Sequence, residues 1–166
     1  WTGWHDGIFS FTTPDGPHLL QPRACVLALG GASWPRLGSD AAWVPILAAQ
    51  GVEIAPFKPA NMGFRVEWSP HMTRHFGQAI KGAMLRAGPQ QERGEFVLSA
   101  RGLEGGGIYA ISRHLREGAA LFLNLLPDLA DDELSARLAR LRSSDSMGNQ
   151  LRKLGLSPAA VALVME

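Results

Sequence analysis

In the first sixty residues apolar positions come in short runs cut by glycine and proline, whereas after residue 130 they recur every three or four positions. The first pattern predicts strands and the second helices. Gly7-Ile8-Phe9-Ser10-Phe11 and His18-Leu19-Leu20 flank Thr13-Pro14-Asp15-Gly16, whose Pro-Asp-Gly presets a tight turn, so a hairpin is expected. Ala24-Cys25-Val26-Leu27-Ala28-Leu29 reads as an apolar strand. Ser39 or Asp40 can then cap a helix running through Gln50, with Gly51 as its stop. Pro45 removes one of its hydrogen bonds unless it lies in the first turns. Val52-Glu53-Ile54-Ala55 follows as a short strand.

Pro56, Pro59 and Asn61 interrupt the pattern and place a domain boundary within 56–62. Beyond it Phe64, Val66 and Trp68 alternate with Arg65 and Glu67, and 78–87 and 94–99 are also short and β-like, separated by a turn at 88–91. Residues 107–117 suit a helix and 120–125 a strand, while Leu134, Leu138 and Leu141 form one helical stripe. Two short helices close the chain, 146–154 and one capped by Ser157 with Pro158 in first position. The expected fold class is therefore mixed α+β: an α/β piece over 1–58, then a β-rich module over 59–166 that turns helical from about 129.

Composition narrows the function classes. Lys+Arg 16 against Asp+Glu 15 gives a net charge of +1 and no electrostatic reason to expect nucleic acid or an anionic membrane. The second half's helices are nonetheless basic (Arg113, His114, Arg116, Arg137, Arg140, Arg142, Arg152, Lys153), which reads as solvated faces or, alternatively, as a contact surface for protein or nucleic acid. The single Cys25 excludes an internal disulfide and is expected in the core. With no apolar run near ~18 residues, a cytoplasmic location is expected.

Candidate chemistry gathers at two glycine runs. Gly30-Gly31 follows the apolar strand and precedes the expected helix, where a missing Cβ and unpaired helix N–H groups admit a ligand phosphate, although two glycines also simply make a tight turn. Gly105-Gly106-Gly107-Ile108-Tyr109-Ala110 fits Gly-x-Gly-x-x-Ala, with Asp128 where a ribose-binding acid would stand, although Arg101-Gly102-Leu103-Glu104 separates it from its strand. His71 and His75 have the spacing of metal ligands on a helix but lack a third partner, so no metal site is assigned. His5-Asp6 offers either acid–base groups or a hairpin turn. Trp34 and Trp43 are either apolar packing or cover for a ring system. There is no Ser-His-Asp or Cys-His arrangement and no phosphate-binding lysine loop, so the catalytic residues stay unknown.

The run Ala28-Leu29-Gly30-Gly31-Ala32-Ser33-Trp34-Pro35-Arg36-Leu37-Gly38-Ser39 resembles the Ala-Thr-Gly-Gly-x-Ser-Tyr-Pro-x-Thr-Gly-Ser stretch of the HI0933-like flavoproteins, with Leu29 at the threonine and Trp34 at the tyrosine position. The stretch from Gly94-Glu95-Phe96 through Ser112, and Pro59-Ala60, are similar to further motifs of that family. The resemblance implies a flavoprotein oxidoreductase whose FAD domain is interrupted by a β-barrel-like insert with a helical part. It places Gly30, Gly31, Ser33, Gly38 and Ser39 beside FAD, with NAD(P) as an electron donor and an unidentified small molecule as substrate. The family's amino-terminal Gly-x-Gly-x-x-Gly unit is not in this sequence, so the chain is expected to be one wall of an FAD site, inactive without the remainder of its parent chain. The competing expectations are a non-enzymatic interaction module and an NAD(P)-binding domain built on Gly105 to Ala110.

Overall fold

The computed structural model describes residues 1–166, in a mixed α+β arrangement. Two compact units are present, Trp1–Lys58 and Pro59–Glu166. No helix is long and apolar enough to cross a membrane.

In the first unit β1 (Gly3–His5), β2 (Ile8–Thr13) and β3 (Gly16–Leu20) form an antiparallel meander in that order. The expected hairpin is β2–β3, closing at Thr13 opposite Gly16. β1 was not foreseen. It folds back through the two-residue turn Asp6-Gly7, whose φ values of 48° and 78° suit the twist of paired strands, so His5 and Asp6 stand exposed at a hairpin end. Trp4 pairs across the strands with Phe9, and Trp1, Trp4 and Phe9 stack at centroid separations of 5.7 and 6.1 Å.

Four expectations fail in this unit. Residues 24–29 form no strand: they pair with nothing, Val26 is 89% exposed, and Cys25 is exposed rather than in the core. Val52–Ala55 is unpaired as well. Both segments have β-favouring residues, but a strand forms only where a neighbour takes its N–H and C=O groups, and the meander β1-β2-β3 does not extend to them. The helix is also shorter than expected. α1 spans Val44–Ala48, because Ser39 Oγ accepts the Gly31 N–H at 3.0 Å and Asp40 Oδ1 the Ala42 N–H at 3.0 Å, leaving neither to cap it, and Ala41 turns the backbone to φ 61°. Pro45 does sit in the first turn, where its missing N–H is harmless, and the bonds Gly51 N–H to Ala48 O and Val52 N–H to Leu47 O end the helical turn at Gly51. Leu47 is the only buried hydrophobic residue of this unit.

The second unit holds the main core. Its sheet is antiparallel throughout, in the order β4 (Phe64–Arg65), β7 (Gly102–Glu104), β6 (Gln90–Ser99), β5 (Ala79–Ala87), β8 (Leu121–Asn124), and it curls into a half-barrel. Gly88 and Pro89 alone make the β5–β6 turn, so the turn is shorter than the expected 88–91 and β6 starts at Gln90 rather than at residue 94. A bulge between Ile80 and Ala83 shifts the register, which lets Ile80, Ala83, Leu85 and Ala87 all face inward although 80 and 83 differ by an odd step. Phe96 and Leu98 of β6 complete the apolar face.

Onto this face packs α2 (Gly106–Arg116) through Ile108 and Ile111, both fully buried. Its first turn sits very close to the strands: a Cβ on Gly107 would lie 2.9 Å from Glu95 O and 2.9 Å from Leu85 Cδ1, and one on Gly94 would lie 3.4 Å from Gly107 Cα. Ser112 Oγ donates to Ala60 O at 2.7 Å and the Arg116 guanidinium to Pro59 O, tying Pro59-Ala60 to the helix. After β8 come α3 (Asp131–Ala139), α4 (Met147–Lys153) and α5 (Pro158–Met165); Ser157 caps the last as the sequence indicated, and Ser146, expected as the first residue of its helix, caps α4. Ala159 and Ala160 of α5 enter the core beside Met72 from a 3-10 turn at Pro70–His75. Glu166, just past α5, accepts the Ser69 N–H, and its second oxygen takes the Ser69 hydroxyl at 2.7 Å.

Two adjacent glycines should therefore respond oppositely to alanine. Gly107→Ala should destabilise the second unit by roughly 1–3 kcal/mol, since a backbone carbonyl must yield, whereas Gly106→Ala meets nothing within 4 Å and should be neutral or stabilising by up to about 1 kcal/mol. Urea denaturation of both variants measures the difference; equal effects would contradict the packing. The Ser69 hydrogen bonds, the backbone one foremost, hold the Glu166 carboxyl below its ordinary value of 4.5, with His71 nearby contributing. A lowered folded-state pKa stabilises above the ordinary value and ceases to do so as pH falls through the folded one. The Ser69 amide resonance should accordingly titrate at a pH below 4.5, and Glu166→Gln should abolish that step.

Candidate functional site

The first glycine run forms a compact loop held by its own hydrogen bonds. Trp34 and Ser39 exchange backbone bonds of 3.1 Å in both directions, enclosing a 3-10 turn at Pro35–Leu37 whose end is Gly38 at φ 81°. Ahead of this closure the chain doubles back on itself. The Gly31 N–H donates to Ser39 Oγ at 3.0 Å, the Ala41 N–H donates to Gly31 O at 3.1 Å, and Trp43 Nε1 donates to Gly30 O at 3.2 Å. Trp43 is in turn fixed edge-on against Phe57, 5.9 Å between centroids at 83°.

These contacts separate the five sequence-predicted residues by what the fold demands of them. Gly30 lies at φ 70°, where an L side chain is strained, and a Cβ there would stand 3.1 Å from Ser39 Oγ. Gly38 is required by the end of the 3-10 turn, and Ser39 by its two roles as backbone bridge and acceptor for Gly31. Gly31 is different. Its φ is not left-handed and a Cβ on it would meet nothing within 4 Å, so nothing within the loop requires glycine there. Ser33 is exposed, and its hydroxyl and N–H have no protein partner; the Ala32 N–H has none either. Chemically, the loop offers free N–H groups, a hydroxyl, and beside them the 67% exposed indole of Trp34.

The expected helix N-terminus is not part of this arrangement, since α1 has only five residues and begins at Val44. Two further residues matter that sequence reasoning missed or left open. Trp43 is a clamp on the Gly30 carbonyl, and Ala41 supplies a third left-handed position after Gly30 and Gly38. A left-handed alanine has no sequence signature, and an indole N–H reaching back thirteen residues has none either.

The second glycine run is not a nucleotide turn. β7 does lead directly into Gly105, but every pairing in its sheet is antiparallel, and the space that Gly107 leaves is occupied by Glu95 and Leu85 of the sheet itself. Asp128, the residue placed as a ribose acid, is held by Arg93 through two bonds of 2.6 Å, and that guanidinium lowers its carboxyl pKa. His71 and His75 do not converge either. His75, 6% exposed, accepts from Arg74 Nε at Nε2 (3.2 Å) and so donates from Nδ1 to Gln78 Oε1 (3.2 Å), while His71 is exposed. Several of the basic helix residues have acidic partners: Arg113 with Glu117, Arg137 with Glu133, and Lys153 with Asp145.

Comparison with known proteins agrees with the architecture of the second unit. Residues 58–161 match the family described as HI0933-like protein barrel and H2TH domain. No curated protein matches the chain. The match covers well over half of the 166 residues and takes in the curled antiparallel sheet, α2 and the helices behind it, so the chain belongs to the HI0933-like family.

Proposed function

We propose that this chain is part of an FAD-binding flavoprotein oxidoreductase and that the loop from Gly30 to Ser39 lines its cofactor. The observation that carries this is Gly31, a glycine that the loop does not require, at a position open on its Cβ side and followed by two unpartnered N–H groups. A backbone without a side chain is what a flat or phosphorylated ligand needs for close approach. The resemblance of Gly30 to Ser39 to the flavoprotein motif, together with family membership over 58–161, supports FAD as that ligand.

In this reading Gly31 and Ala32 present backbone to the cofactor, the Ser33 hydroxyl donates to it, and Gly30, Gly38, Ser39 and Trp43 keep the loop in shape. The Trp34 indole covers part of the ligand and limits water. When bound, the flavin supplies the electron transfer, and the polypeptide supplies position and electrostatics. NAD(P) as electron donor and a small-molecule substrate belong to the same proposal; nothing favours a site for either among residues 105–110.

The test is the visible spectrum of the protein that carries this chain with its complete FAD domain. Flavin bands near ~450 nm are expected, and Gly31→Val should lower the flavin-to-protein ratio at least about tenfold while the far-ultraviolet circular dichroism is kept, because the blocked surface lies on the loop and not in the core. The 166-residue chain alone should bind FAD weakly or not at all. A protein that stays colourless after FAD is added, or a Gly31→Val variant with full flavin content, would overturn the proposal and leave the interaction module as the better reading.

A further inference from the structure

A cavity lies within the second unit, between the 3-10 turn at Pro70–His75 and the helices α4 and α5. Its volume of about 660 Å³ falls in the range of small-molecule sites. Met72, Val161 and Ala162 give it an apolar floor, and His71, Arg74 and Arg152 line it with cationic or titratable groups. Neither guanidinium is in a salt bridge. Arg74 spends only its Nε–H, on His75, and Arg152 only one Nη1–H, on Asn149 at 2.9 Å. Each retains a planar face of donors. The one carboxylate among the lining residues, Glu166, is ionised and has both oxygens engaged by Ser69; it forms no salt bridge with either guanidinium, so two cations face one carboxylate.

Gly148 strengthens the reading. It stands in the first turn of α4, one residue after Met147, where glycine is not a favoured helix former. Packing does not demand it: a Cβ would make only ordinary contacts, 3.7 Å to Arg152 Nη1 and 3.9 Å to Val161 Cγ1. Such a Cβ would touch both one of the cavity's cations and its floor, Arg152 and Val161.

We propose that this cavity is a binding site for a small organic anion, with a phosphate or carboxylate head held by Arg74 and Arg152 and an apolar body on Met72, Val161 and Ala162. Guanidinium pairs suit planar or tetrahedral oxyanions because each offers paired donors that bulk water does not fix in place. The site is independent of the flavin loop and requires no flavin.

Titration calorimetry on the full chain with phenyl phosphate, inorganic phosphate and benzyl alcohol separates head from body. Phenyl phosphate should bind at least tenfold more tightly than inorganic phosphate, and benzyl alcohol should not bind measurably. Phenylacetate identifies the head: tighter binding than phenyl phosphate assigns carboxylates, and weaker binding assigns phosphates. Arg74→Gln combined with Arg152→Gln should weaken the better ligand at least tenfold, and Gly148→Leu should block it, with unchanged circular dichroism certifying the fold of each variant. Should Gly148→Leu fail to fold, the double glutamine variant decides alone. No binding of either phenyl compound at millimolar concentration, or binding indifferent to the double substitution, would overturn the proposal.

Discussion

The contact on which the second unit depends is the approach of the α2 N-terminus to the sheet at Gly107. There the helix backbone comes so near β6 and β5 that a single methyl group would have to displace Glu95 O and a Leu85 methyl. That closeness brings Ile108 and Ile111 to full burial against Leu85, Phe96 and Leu98, and the curled sheet wraps the helix they belong to. Close packing of this kind tolerates neither a gap nor an added methylene. The remaining features follow from the helix position: Ser112 and Arg116 reach Pro59 and Ala60, and Gly105 hands β7 over to the helix without a side-chain cap.

The first unit is held by different means. With Leu47 as its one buried hydrophobic residue, it relies on strand pairing, on the stack of Trp1, Trp4 and Phe9, and on the hydrogen bonds that fold residues 30–43 onto themselves. Those bonds sort its glycines. Gly30 and Gly38 answer to backbone geometry, whereas Gly31 answers to nothing within the loop. The two glycine runs of the chain thus exchange the roles that motif spacing alone would allow: the run fitting a dinucleotide fingerprint is a packing device, and the plainer pair carries the open surface.

How far the sequence could be read follows the range of the forces involved. Local signals were legible: Pro14-Asp15-Gly16 did make a hairpin, Ser157 did cap the last helix with Pro158 behind it, and the β-like segments 78–87 and 94–99 did fall within β5 and β6. The strand read at 24–29 failed because β propensity says nothing about whether a neighbour is there to pair with. Ser39 failed as a helix cap because its hydroxyl is taken by an amide eight residues earlier, a tertiary choice that local rules do not see. The cavity framed by Arg74 and Arg152 was invisible for the same reason, its two cations being far apart in sequence.

The central claim is that ligand-facing backbone lies in the Gly30–Ser39 loop and that the glycines around residue 107 face only protein. Hydrogen–deuterium exchange on the FAD-domain-complete protein, compared with flavin bound and after its removal, tests both halves at once. Flavin should slow exchange at Ala32 and Ser33 and leave Gly105 to Ala110 unchanged. Protection at Gly105 to Ala110, or none within Gly30 to Ser39, would contradict the account.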